Sequence, residues 1–116
     1  MTIAFNRHDE TGYISPLAGI RQKTVVYGER TLMTRFHLDK GSDLPLHSHP
    51  YEQTGCLISG RLRLTIGAEQ YDACPGDAWN IAAGLDHGAE IIDDSIALEV
   101  FSPVREDYLP GRNREK

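Results

Sequence analysis

The stretch Arg61-Leu62-Arg63-Leu64-Thr65-Ile66 alternates polar and apolar residues without a break. A period of two puts Leu62, Leu64 and Ile66 on one face and Arg61, Arg63 and Thr65 on the other, the pattern of a strand with one face in a core and one in water. No long window repeats apolar residues at the helical period, whereas several short windows alternate or run apolar between turn signals. The chain therefore reads as all-β. Its candidate strands are Lys23 to Tyr27, Leu32 to Leu38, Gln53 to Ile58, Leu62 to Ile66, Gln70 to Ala73, Ala78 to Ile81 and Ile96 to Phe101.

Ser59-Gly60 and Gly67-Ala68 interrupt alternating runs where a hairpin or corner needs a residue tolerant of positive φ. In Pro75-Gly76-Asp77, proline presets the first central torsion of a type II turn and glycine supplies the positive φ of the second. Short strands between such turns fit a sandwich, a jelly roll or a small barrel.

The 116 residues suit one domain: an amino-terminal segment over 1–22, a barrel over 23–109 and a polar, frayed tail over 110–116. So many strands leave edges, and homodimerisation through the amino-terminal segment is expected. A net charge of -5 without a basic stripe argues against nucleic-acid binding. Met1 to Ile20 holds Arg7, His8, Asp9 and Glu10 and no long apolar run, so neither a secretory signal nor a membrane span is read there. The expected location is the cytoplasm. Cys56 and Cys74 have neither zinc-site spacing nor disulfide-scaffold density; they read as reduced, small buried hydrophobes, with a bond between them the alternative.

His47 and His49 lie two apart, so on one strand both imidazoles project from the same face, as two ligands of one ion must. Alone, such a pair is more often two exposed histidines in a loop. Glu52 and Gln53 are neighbours and point to opposite faces of a regular strand; alternation favours Gln53 over Glu52 as a partner of the histidines. His8 and His37 read as solvated or hydrogen-bonded residues outside any site.

The wider spacing is more specific. Gly41, five residues, His47-Ser48-His49, three residues, Gln53, six residues and Gly60 resembles the first cupin motif, with Gln53 where most members carry Glu. Gly76 through Gly84 and His87 resembles the second, with Ala82 in place of Pro and Ile91 in place of Asn. The resemblance implies a double-stranded β-helix, a jelly-roll barrel, in which His47, His49, Gln53 and His87 converge on one divalent metal. Three imidazoles and an amide oxygen form a neutral set suited to Ni, Zn, Fe, Mn or Cu, and the choice among them stays open.

Near the end stands Glu99-Val100-Phe101-Ser102-Pro103-Val104-Arg105-Glu106-Asp107-Tyr108. Taken with His-Ser-His-Pro at 47–50 and Glu-Gln at 52–53, it is similar to the small cupins that linearise 4,5-unsaturated uronates in pectin and alginate degradation. That resemblance implies a metal-dependent enzyme acting on a small anionic sugar acid. Glu99 and Arg105 would be catalytic, and Phe101, Arg105 and Trp79 would contact substrate; Glu99 stands where that family usually has Asp. The plain alternative for Arg105 is a surface salt bridge. Two other functions remain open from sequence, an Fe(II) dioxygenase and a non-catalytic small-ligand cupin.

Overall fold

The computed structural model describes residues 2–110, so all of the expected tail over 110–116 except Pro110 lies outside the described residues. Eight strands run in order: β1 (Ile14–Leu17), β2 (Ile20–Tyr27), β3 (Leu32–Leu38), β4 (Asp43–His47), β5 (Glu52–Ile66), β6 (Glu69–Ala73), β7 (Ala78–Ile81) and β8 (His87–Ser102), followed by one 3-10 turn at Glu106–Tyr108. Among the described residues no helix is long and apolar enough to cross a membrane.

Every strand pairing is antiparallel, and the eight strands form one continuous sheet that folds along β5 and β8 into two facing halves, each a sheet in its own right. The first half of β5 pairs with β7 and with the second half of β8, which continues through β3 and β2 to β1. The second half of β5 pairs with β6 and with the first half of β8, which continues to β4. The two sheets close on a shared core: Phe36, Leu57 and Ala97 from one meet Leu62, Leu64 and Ile91 from the other. A fully buried side chain of this size contributes about 1.5 to 3 kcal/mol.

Several strand limits differ from the sequence reading. The runs Gln53–Ile58 and Leu62–Ile66 are one strand, because Gly60 (φ 93°) bends the chain without reversing it. The register shifts between Leu57 and Leu62 mark that corner, where the Ser95 hydroxyl accepts the Arg61 N–H at 3.0 Å. Strand β8 begins nine residues before the expected Ile96, at His87. Strand β2 begins at Ile20, and β1 and β4 have no counterpart in the sequence reading. The Pro75-Gly76 turn is as anticipated, with Gly76 at φ 94° and the Asp77 N–H donating to the Cys74 carbonyl at 2.9 Å. Both cysteines are free thiols. Cys74 is exposed rather than buried, because it opens that turn and points outward.

Candidate metal centre

His47 ends β4 and His87 opens β8, and the two are register partners across the strand pair. His49 follows in the connection to β5, and Gln53 is the second residue of β5, paired with Ile81 on one side and Phe101 on the other. One ring nitrogen from each of the three histidines lies within 4.8 Å of the others. The site opens outward in graded fashion: His47 is exposed, His49 half-buried and His87 buried.

Each imidazole is oriented by the backbone beside it. Nδ1 of His47 lies 2.8 Å from the Pro45 carbonyl, Nδ1 of His87 lies 2.9 Å from that of Leu85, and Nδ1 of His49 lies 3.2 Å from that of Tyr51. A carbonyl oxygen only accepts, so in His47 and His87 the contact places a proton on Nδ1 and leaves Nε2 as the donor atom for an ion, whereas His49 faces an acceptor oxygen at each of its nitrogens. Burial, ahead of the Arg105 charge, lowers the pKa of His49; burial likewise lowers that of His87, and both favour the neutral ring.

Two features suit this set to a cation. Nε2 of His87 is buried without a hydrogen-bond partner, an expensive condition for a polar atom unless something else meets it. Nε2 of His49 lies 3.0 Å from Oε1 of Gln53, so the ring nitrogen and the amide oxygen are close enough for one ion to meet both once the ring's proton is on Nδ1. Gln53 is buried and faces inward, whereas Glu52 is exposed and accepts from Asn80 at 3.0 Å. A transition metal fits these residues, with His47, His49, His87 and Gln53 as its donors.

Behind the donors is a cavity of about 480 Å³, lined by the histidines, Gln53, Trp79, Glu99, Phe101 and Arg105 among largely apolar neighbours. Its size is that of a small-ligand pocket. Glu99 and Phe101 occupy the inward row of β8, as their spacing anticipates, at 8 % and 1 % exposure. Burial pushes the Glu99 carboxyl up to about 7 against two opposing hydrogen bonds, from the Gln53 amide and from Trp79 Nε1 at 3.1 Å.

Arg105 reaches the same cavity but is neither an exposed surface pair nor a bare anion hook. Its side chain is 14 % exposed and pairs with Asp107 through Nη2 at 2.8 Å and Nε at 3.2 Å. The guanidinium lies 3.7 Å from the Tyr108 ring centroid, with Phe101 at 4.9 Å and Tyr51 at 5.1 Å. Of the cage, Phe101 is anticipated in the sequence, whereas Tyr51, Tyr108 and Gln22, which lines the same cavity, are not. For Gln22 a signal exists, since it shares the buried row of β2 with Ile20. Tyr51 and Tyr108 lie in irregular segments that carry no such pattern. His37 and His8 stand apart from the site: His37 Nε2 contacts the Tyr13 hydroxyl at 3.1 Å, and His8 pairs with Glu10 at 2.8 Å.

The cupin domain family model matches residues 34–103, more than half of the chain. The chain belongs to the cupin family. This cupin is 27 % identical over 103 residues to the pectin degradation protein KdgF of Dickeya dadantii, covering 87 % of the chain and 94 % of the relative. Among solved structures, KdgF from a Halomonas species superposes with a TM-score of 0.86 at 28 % identity, over 91 % of the chain and all of that structure (100 %). An RmlC-like cupin from Shewanella frigidimarina has a TM-score of 0.87 at 21 % identity, over 92 % and 96 %, and supports the fold alone.

Proposed function

We propose that this cupin is a metal-dependent enzyme that opens the ring of a 4,5-unsaturated uronate. The observation that carries the reading is the set of three imidazoles, each oriented by a backbone carbonyl at Nδ1 and each with a ring nitrogen within 4.8 Å of the others, beside a small-ligand cavity. The similarity to two KdgF proteins, one described as a pectin degradation protein, supplies the substrate class.

In such a uronate the ring oxygen belongs to an enol ether conjugated with the carboxylate, and opening at the anomeric carbon leaves negative charge on that system. A divalent ion held by His47, His49, His87 and Gln53 supplies Lewis-acid stabilisation of that charge. Arg105, positive and largely shielded from water, draws the substrate carboxylate toward the same end of the cavity. Phe101 and Trp79 form apolar walls that exclude water around the reacting carbons. Glu99 has its carboxyl within the cavity lining and moves the proton between the anomeric hydroxyl and the ring carbon.

The test follows the ultraviolet absorbance of the conjugated double bond when unsaturated galacturonate or its alginate-derived counterpart is added. Metal-loaded wild type bleaches it, chelator-stripped protein does not, and His87→Ala loses both metal and turnover while keeping the β-sheet circular dichroism signal. A metal-loaded wild type that leaves the absorbance unchanged sinks the proposal. Oxygen uptake confined to the iron-loaded protein would select a dioxygenase instead.

A further inference from the structure

Gln53 differs from the three histidines in one respect: nothing in its own backbone decides which end of its side chain faces the centre. An amide has an acceptor end and a donor end of almost the same shape, and only the oxygen end can serve a cation. In this cupin the oxygen lies toward His49, 3.0 Å from Nε2, while Glu99 stands diagonally across the β5–β8 pair on the same inward face, where the other end of the amide favours its ionised form. The carboxylate is anchored in turn by Trp79, whose indole N–H donates to Oε1 at 3.1 Å and can do nothing else.

The room for this arrangement comes from Gly55, which faces Glu99 across the β5–β8 pair and Trp79 across the β5–β7 pair. A Cβ on Gly55 would overlap Oε1 of Glu99 and crowd Nε1 of Trp79. Its φ is not in the left-handed region, so glycine is needed here for space and not for torsion.

We propose that Glu99 is a positioning residue for the metal centre: anchored by Trp79 in the space Gly55 leaves, it holds the Gln53 amide with oxygen rather than nitrogen toward the histidines. The inference rests on the metal-centre reading and gives Glu99 a task that is complete before any substrate arrives. A carboxylate at position 53 would need no such partner, because it has no wrong end.

The polarity of the Gln53–Glu99 contact makes a reciprocal test possible. Affinity for Co²⁺ is measured by chelator competition, and the visible Co²⁺ absorption is recorded, for full-length wild type, Glu99→Gln, Gln53→Glu and the double exchange. In Glu99→Gln the Trp79 bond keeps the new amide's oxygen, so its NH₂ meets the NH₂ of Gln53. The Gln53 amide then turns its nitrogen inward, Co²⁺ binds about ten- to a hundred-fold more weakly and its spectrum shifts. On the Gln53→Glu background two carboxylates face each other, and the same Glu99→Gln change now supplies a donor and strengthens binding. An opposite sign on the two backgrounds is the expected result, since a general loss of structure would weaken both alike. Trp79→Phe, which removes only the anchoring N–H, weakens Co²⁺ binding too and serves in place of Glu99→Gln should that variant fail to fold. Unchanged affinity and spectrum in these variants, or the same sign on both backgrounds, overturns the positioning role alone. Wild type that binds no Co²⁺ overturns this proposal together with the metal-centre reading.

Discussion

Arg105 is held from three sides by aromatic rings and from a fourth by Asp107, and this geometry decides how its variants should behave. Lysine keeps the charge but loses both the planar fork and the stacking on Tyr108. Losing two charge-assisted hydrogen bonds to a substrate carboxylate in a shielded site costs about 2 to 4 kcal/mol of transition-state stabilisation. Arg105→Lys and Arg105→Ala should therefore lower kcat/KM on an unsaturated uronate by roughly thirty- to a thousand-fold. Variants as fast as wild type would remove Arg105 from the reaction.

Glu99 allows a prediction about pH. Its carboxyl titrates near 7 in the fold, against an ordinary value of 4.5, because burial penalises the charged form. The folded state thus holds this proton to higher pH than the unfolded state. Its contribution to stability is fully present below 4.5, declines as pH rises to about 7, and is flat above. Glu99→Gln removes that loss, so the metal-free variant should gain on metal-free wild type by on the order of 1 to 3 kcal/mol between pH 5 and pH 8. Thermal melts of both proteins at the two pH values check it; a stability difference that does not change with pH would refute the assignment.

At the level of strands, the corner at Gly60 is the point where β5 passes from one sheet to the other. A side chain there would need positive φ and would collide with Ser95 and the Asp94 carbonyl. Gly60→Ala should destabilise the protein by about 1 to 3 kcal/mol, read as a lower melting temperature at full metal loading. The same corner limits what sequence reading could recover. Alternation identified β3, β6 and β7 almost to the residue, but Ser59-Gly60 looks like an end and is only a bend. The first half of β8 was hidden by Gly88 and by Asp93-Asp94, which resemble punctuation in one dimension; in three, Gly88 and Asp93 pair with β5 and Asp94 is exposed at the bend. Strand β4 contains Pro45 and is mostly exposed, so it shows no buried row. Gln53 was legible because parity alone separates it from Glu52. Of the cage around Arg105, Phe101 was legible from its place in an alternating strand; Tyr51 and Tyr108 were not, because their segments have no period.

At the scale of the whole molecule, the amino-terminal arm lies on its own barrel. Ile3 bridges to Tyr27, the Asn6 amide donates to the Val25 carbonyl at 2.7 Å, and Lys23 donates to the Asp9 carbonyl at 3.1 Å. Strand β1 is the edge of its sheet and is exposed along its length, with Ile14 at 38 % and Leu17 at 44 %. An apolar edge strand favours pairing with a second copy, and we expect a homodimer joined along β1. Sedimentation should return twice the 12.9 kDa chain mass at micromolar concentration, and Ile14→Lys together with Leu17→Lys should return one chain mass. A wild type that sediments as one chain would count against the dimer.

The continuity of β5 and β8 through both sheets also bears on how two such copies could become entangled. Reciprocal exchange of an element between subunits needs a piece that can detach while the rest stays closed. Neither sheet is such a piece, because each is woven from half of the same two strands, and releasing one would unravel the other. Strands β4, β6 and β7 each hang on a single neighbour too, but the chain holds them at both ends between other strands of the barrel; β1 alone combines a single neighbour with a place ahead of the rest, joined to β2 by the two-residue link Ala18-Gly19. Any swapped form of this barrel is therefore confined to its first strand, and the cluster of histidines would stay whole within each subunit.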